Sequence, residues 1–418
     1  MGVERVPTQE QRELRLPYLP ALDGLRGLAV AAVLVYHSRP SWAPGGYLGV
    51  TAFFVLSGFL IVGLMLRERE LAGRIDLVAF WGRRARRLVP AVLLVTAGVL
   101  VVSLLTGDRS RSLVADAAAA LGWVANWRFV LAHHSYGDLF SRPSPFQHMW
   151  SLAIEEQFYV VVPLVVVAAL GRGERTRRGL LGLVLAGVVA ASTALCIRFH
   201  PAGAGALRSY YGTDTRVAEP AVGALLALVL VGRAGLRRAG AAAAIALDVA
   251  GIAALAALAL LVLHLRESAD ALYRGGFLGA ALLSAIVVAA AVQGRFLARA
   301  LAAPALVALG RISYGVYVFH WPIFVWLTPR RTHLDPLPLL ALRGSITLVV
   351  AAASYALVEM PVRRGRVSRP VGLLGWADAS IALLAGMVAL TTVSVAPAAT
   401  SVAATGAAPA PSPAAASP

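Results

Sequence analysis

Two side chains able to do chemistry stand in the first apolar stretch of this sequence. Leu22 to Ser38 reads LDGLRGLAVAAVLVYHS and holds Arg26 and His37. A guanidinium is a permanent cation whose planar fork matches phosphate and carboxylate. An imidazole exchanges protons near neutral pH, which suits a general base. Eleven residues separate the two, about three helical turns. Both therefore project from one helix face, roughly 16 Å apart along the axis. An ionisable group inside a membrane span costs about 2.5–3.5 kcal/mol on the mildest scale, so it is a functional hypothesis by default. Two on one face predict a polar track through the bilayer. The competing readings are a headgroup-boundary histidine at the end of its helix, and a structural ion pair for Arg26 with Asp23 or another carboxylate.

Further candidates follow along the chain. Arg83, Arg84, Arg86 and Arg87 crowd into five positions ahead of an apolar run. They suit a phosphate clamp or a basic anchor against anionic lipid. Glu155 and Glu156 diverge by about 100° on a helix, so at most one faces a given neighbour. Threading the spans puts them at the depth of His37, where one can orient the imidazole or bind an acceptor. His148 and Trp150 precede them as an acceptor platform or an aromatic belt, the belt being favoured for Trp150. Asp214 with Arg216 reads as a local ion pair or a sugar-binding group, and His320 with Trp321 maps to the same side. Ser57 reads as bonded to its own helix backbone rather than as a nucleophile. No His/Cys cluster has metal-site spacing and no HExxH occurs, so no metal is expected. Nor does a P-loop or Rossmann glycine pattern compete for the phosphate role.

The elements that must position these residues are helices in lipid. The chain is 59% hydrophobic and 14% charged, with mean hydropathy +0.74. That excludes a soluble globular protein and predicts an all-α polytopic membrane protein. Its basic residues are all arginine. Despite a net charge of +17, nucleic acid is not the expected partner, because the arginines sit in short loops between apolar runs. Cys196 is the single cysteine; it falls in an apolar run, reads as packing, and permits no internal disulfide.

Windows near 20 residues give about 10–11 transmembrane helices: 21–38, 47–66, 88–106, 150–170, 179–199, 217–232, 243–264, 276–293, 306–328, 338–358 and 373–396. The stretch 113–132 carries Asp116, Asn126 and Arg128 and reads as an interfacial or re-entrant helix. With the N-terminus cytoplasmic, most arginines fall in inner segments, as the positive-inside rule requires. Residues 1–20 are a cytoplasmic lead-in, since Asp23 and Arg26 interrupt any secretory h-region. Residues 397–418 are an uncharged Ala/Pro-rich tether, expected to be disordered and extracytoplasmic.

Seven segments stand in a telling order. They are Arg26-x10-His37, Phe53-Phe54-Val55-Leu56-Ser57-Gly58-Phe59, the Arg83–Arg87 cluster, Trp150-Ser151-Leu152-Ala153-Ile154-Glu155-Glu156-Gln157-Phe158-Tyr159, Thr213-Asp214-Thr215-Arg216, Ser313 to Pro322, and Glu359-Met360-Pro361. From about residue 18 to 365 the chain resembles the acyltransferase-3 family of membrane acyltransferases. The resemblance implies a membrane domain over 21–365 that O-acylates a sugar, an envelope glycan or a secondary metabolite. It implies acyl-CoA, acetyl-CoA by default, as a co-substrate from the cytoplasm rather than a permanently bound cofactor. His37 matches the family's base, with Arg26, Glu155 and Glu156 beside it in the catalytic set. The cluster 83–87 matches its basic motif, expected to bind CoA. His148, Asp214, Arg216 and His320 are the expected acceptor-binding residues. Larger members carry an extra span and a tether leading to an SGNH hydrolase-like domain. This sequence holds the span, 373–396, and the tether, and such a domain is an expected partner.

Two alternatives stand beside direct O-acyl transfer. One is a trans-membrane acyl carrier that hands the group to a separate SGNH-type transferase. The other is a non-catalytic transporter, against which no inverted repeat is visible.

Overall fold

The computed structural model describes residues 17–38, 41–107, 111–132, 143–170, 174–200, 207–232, 235–236, 239–364, 378–383, 385–386 and 388. The expected lead-in, the tether and much of the 373–396 span lie outside them. The described residues form helices α1 Pro20–His37, α2 Leu48–Ala72, α3 Leu77–Thr106, α4 Arg111–Leu121, α5 Ala125–Leu131, α6 Met149–Leu170, α7 Glu174–Arg198, α8 Leu207–Tyr211, α9 Thr213–Arg216 and α10 Ala218–Leu230. After a turn come α11 Ala241–His264, α12 Phe277–Gln293, α13 Phe296–Leu301, α14 Pro304–Trp326, α15 Pro329–Thr332, α16 Pro336–Ser354 and α17 Met360–Arg363. The turn between α10 and α11 holds a two-residue antiparallel ladder, Val231 opposite Leu236 and Gly232 opposite Gly235.

Local chemistry sets these boundaries. Pro20, Pro304 and Pro336 open α1, α14 and α16, where a missing N–H costs nothing and φ is already helical. The Asp76 carboxylate caps α3 by accepting from Ala79 N at 2.9 Å. Gly73 and Gly107 end α2 and α3 in left-handed conformations.

The chain is an all-α polytopic membrane protein. Among the described residues, seven helices are long and apolar enough to cross a bilayer: α2, α3, α6, α7 from Arg178, α11, α12 with its lead-in from Leu272, and α16 with its continuation to Arg363. Of the other four expected spans, α1 and α14 form but are too polar for that test, and α10 has 13 residues. The fourth lies mostly outside the described residues. Large apolar side chains such as Leu105, Val349 and Leu357 are exposed on the outside, where lipid rather than water is the solvent. The stretch 113–132 is not one helix: it breaks at Gly122 and Trp123, the latter at φ 56°.

The polar helices are central. Helix α1 packs against α14 with backbones in near contact. A Cβ on Gly27 would meet the Leu306 carbonyl at 2.4 Å, and one on Gly310 would meet the Asp23 carbonyl at 1.8 Å. This close approach brings Arg26 and His37 of α1 to the face of α14 that carries Ser313, Tyr317 and His320.

Candidate active site

Arg26, Ser57, Arg84, Arg87, Glu155 and Tyr159 line one cavity enclosed by α1, α2, α3, α6 and α14, which also reaches Ser151, Ser313 and Tyr317. The centre of a water-sized sphere can range over about 70 Å³ within it, several times the roughly 10–15 Å³ one water needs. Two polar atoms among its lining residues, Arg26 Nε and Ser313 Oγ, are buried without a hydrogen-bond partner in the described structure. Such atoms are costly unless a ligand or water answers them.

The arginine cluster divides by helical geometry. Arg84 and Arg87, three apart, turn into the cavity. Arg83 and Arg86, three apart on the neighbouring face, are exposed, and Arg83 pairs with Glu68 at 3.3 Å. The structure thus divides the four expected donor-binding arginines, with two at the cavity and two away from it. Arg84 also stacks against the rings of Phe80 and Tyr159, which fixes its direction.

The two glutamates separate as adjacent helical residues must. Glu155 faces the first cavity, against Ser57, Tyr159 and Arg26. Glu156 faces a second cleft, lined by Arg84, Trp123, Trp127 and a run of valines on α6 and α7. Glu155 faces Arg26 across the first cavity, whereas His37 lies with His320 and Trp321 and is not in its lining. That corrects the expected depth. Ser57 also departs from expectation: its hydroxyl bonds the Tyr159 hydroxyl instead of its own backbone. Proline explains the position of Tyr159. Pro163 supplies no N–H to the carbonyl four residues earlier, and that freed carbonyl, of Tyr159, accepts from Trp81 Nε1 at 2.9 Å.

His37 is not among the residues that line the cavity. It meets His320, Nδ1 to Nε2 at 3.1 Å, and packs edge-on to Trp321. His148 joins them: its ring lies 5.5 Å from that of His320. The same proline logic holds it. Pro322 frees the Val318 carbonyl, which accepts from His148 Nε2 at 2.9 Å. Between the cavity and this histidine cluster stands Tyr317. Its hydroxyl bonds Ser151 Oγ at 2.5 Å and the His148 carbonyl at 3.0 Å, and its ring lies 5.4 Å from that of His320. The cavity therefore does not reach His37: the expected track from Arg26 ends at Ser151 and Tyr317.

Asp214 and Arg216 do not pair with each other. Asp214 takes a bidentate bond from Arg208, at 2.8 and 2.6 Å. Arg216 is 1% exposed, bonds Glu219 at 2.6 Å, and is caged by Phe54, Trp150, Tyr210 and Phe277. Side chains two apart on a helix point apart, so each finds its own partner. Trp150 accordingly belongs to this cage and not to an interfacial belt. Sequence reasoning passed over Tyr159, Ser151 and Tyr317. The signal was spacing: Tyr159 is one turn past Glu155, and Tyr317 one turn before His320. Among the described residues no group of His, Cys, Asp and Glu is placed to hold a metal.

The architecture is that of a membrane domain built around a buried basic cavity. The chain belongs to the acyltransferase-3 family, whose acyltransferase domain matches residues 19–358. It is 37% identical to YrhL of Bacillus subtilis (strain 168) over 350 residues, which is 83% of this chain and 55% of that protein. It is 35% identical to the peptidoglycan O-acetyltransferase OatA of Listeria monocytogenes, over 83% of this chain and 56% of that one. Against the O-acetyltransferase OatA of Staphylococcus aureus (strain NCTC 8325) the identity is 34%, over 83% and 57%. The match therefore spans little more than half the length of these relatives. No solved structure matches the chain.

Proposed function

We propose that this chain is an integral-membrane O-acyltransferase. It moves an acyl group, acetyl by analogy with the named relatives, from acyl-CoA to a hydroxyl of an envelope glycan such as peptidoglycan. The observation that carries this reading is the cavity. Arg84 and Arg87 line it together with the orphaned Arg26 Nε, and it stops at Tyr317, one side chain short of the histidines. Arg84 and Arg87 hold the phosphates of CoA through charge-assisted bonds. Arg26, which lines the same cavity as Glu155, receives the pantetheine arm or the thioester. Opening of the Ser151–Tyr317 contact then lets the thioester meet His37. His37 removes the proton of the acceptor hydroxyl while its oxygen bonds the thioester carbonyl carbon. The C–S bond breaks, the CoA sulfur takes that proton from the imidazolium, and an ester and free CoA thiol leave.

By the arginine bias the N-terminus and the arginine cluster are cytoplasmic, so the donor enters there and the acceptor meets His37 from the other side. Purified protein incubated with labelled acetyl-CoA and envelope extract is expected to label the glycan and release one thiol per ester. His37→Ala should insert normally and transfer nothing; undiminished transfer by that variant rules out the base. A transporter would release no thiol.

A second reading is favoured by the length of the relatives. The match takes in 55–57% of them, so a further part can complete the reaction. In that case this chain delivers the acyl group across the bilayer, and a separate SGNH-type protein finishes transfer. Weak glycan labelling alone, restored by adding such a partner, supports this version; full labelling without it counts against it.

A further inference from the structure

We propose that His320 is a positioning residue that sets which nitrogen of His37 carries the proton. The inference rests on the reading of His37 as the base and deepens it. His320 is fully buried, and its hydrogen-bond partners are the backbone carbonyls of Tyr317 and Val316 and one imidazole. A cation there would lack a compensating anion among those partners, so the neutral ring is the form that fits. Its Nδ1 lies 2.6 Å from the Tyr317 carbonyl. A carbonyl only accepts, so Nδ1 carries the hydrogen. A neutral imidazole has one N–H, so His320 Nε2 carries the lone pair. The 3.1 Å contact from that Nε2 to His37 Nδ1 is then a bond in which His37 donates. His37 Nδ1 is therefore the protonated nitrogen, and Nε2 is the basic one.

The rest of the cluster holds this order in place. Pro322 frees the Val318 carbonyl, and His148 Nε2–H donates to it. His148 Nδ1 is buried with no partner among the described residues, so a hydrogen there would be unanswered and His148 also has one settled tautomer. Its ring stands edge-on to His320, at 78° between planes. His320 is thus fixed from its own helix on one side and by a neighbouring ring on the other, with one acceptor aimed at His37. A base whose tautomer is wrong keeps its place and loses its function, as buried orienting groups elsewhere demonstrate.

The test uses the purified full chain labelled with 15N-histidine. The spectrum of His37 is assigned among the 8 histidines by difference from His37→Gln. Wild type is expected to give an Nδ1–H, Nε2-unprotonated signature at His37. In His320→Leu the acceptor is lost, the His37 signature shifts toward Nε2–H, and kcat falls by about 10- to 100-fold with KM for acetyl-CoA unchanged. That range is what removal of a histidine's orienting partner costs in metal sites. His320→Gln, whose amide oxygen can accept from His37, is expected to keep the wild-type signature and most of kcat. A wild-type signature of Nε2–H at His37, full activity in His320→Leu, or a His320→Gln as impaired as His320→Leu overturns the proposal. If His320→Leu does not fold, the wild-type spectrum and His320→Gln decide. The two readings fail separately. Transfer by His37→Ala sinks the base, whereas an inactive His37→Ala beside an Nε2–H wild type leaves the base standing and sinks the positioning role.

Discussion

Arg84 and Arg87 share a helix face, and that spacing separates them from their neighbours by a testable margin. A charge-assisted hydrogen bond is worth about 1.5–3 kcal/mol, and 1.4 kcal/mol is tenfold in an equilibrium constant. Arg84→Ala or Arg87→Ala should raise KM for acetyl-CoA roughly tenfold or more by that conversion. Arg83→Ala and Arg86→Ala, on the exposed side, should change it less than about twofold, in line with the small worth of surface ion pairs. Steady-state kinetics of the four variants checks this; equal effects at all four would mean that basic charge alone attracts the donor. At this scale the sequence was legible where helical spacing decides. It placed Arg26 and His37 on one helix and separated Glu155 from Glu156. It was not legible where a partner on another helix decides. Ser57 finds the Tyr159 hydroxyl, Arg216 finds Glu219 and four rings, and His320 finds His37 across 283 positions. Nothing in the local pattern of any one segment announces the other.

At the level of elements, two prolines within helices do related work, and one of them gives a clean prediction. Pro322→Ala restores an N–H that competes with His148 for the Val318 carbonyl. The helix should gain or hold stability, read as an unchanged or higher Tm, while transfer falls on the order of tenfold as the orienting set loosens. A lower Tm with unchanged transfer would contradict that account. The α1–α14 contact makes the opposite prediction. Gly310→Val places side-chain atoms against the Asp23 carbonyl, and overpacking of this kind costs about 1–3 kcal/mol or more. A lowered Tm with proportionate loss of activity is expected. Hydropathy ranks α1 and α14 below the seven clear spans, while α10 is apolar but only 13 residues long. The first two are weak by that measure because they face protein on most sides, so they can carry the charged, histidine-bearing and glycine-rich faces that lipid would reject.

For the whole molecule, the distribution of arginine predicts orientation, and a labelling experiment tests it. Cys196 is buried and free, so a Cys196→Ala background carries no reactive thiol. A cysteine replacing the exposed Trp42, between α1 and α2, should react with a membrane-impermeant maleimide in intact cells. One replacing Arg74, in the exposed turn between α2 and α3, should react only after the membrane is opened. The reverse pattern would invert the proposed sides of donor and acceptor. All-helical membrane architecture was plain in the composition, because 59% apolar residues leave few other ways to fold. The way the polar helices gather at the centre was not, since it depends on backbone contacts at Gly27 and Gly310 that a hydropathy window does not register.

The bond between Ser151 and Tyr317 has a consequence for the host cell as well as for catalysis. A permanently wet pore joining two compartments would conduct protons and drain the gradient that powers the membrane. On the proposed route, the bonded hydroxyl pair at the end of the cavity separates the donor side from His37, so that insulation need be breached only when a loaded donor fills the gap. Loss of the latch, as in Tyr317→Ala, is therefore expected to show first as proton leakage in sealed vesicles, detectable with a pH dye before any acceptor is supplied.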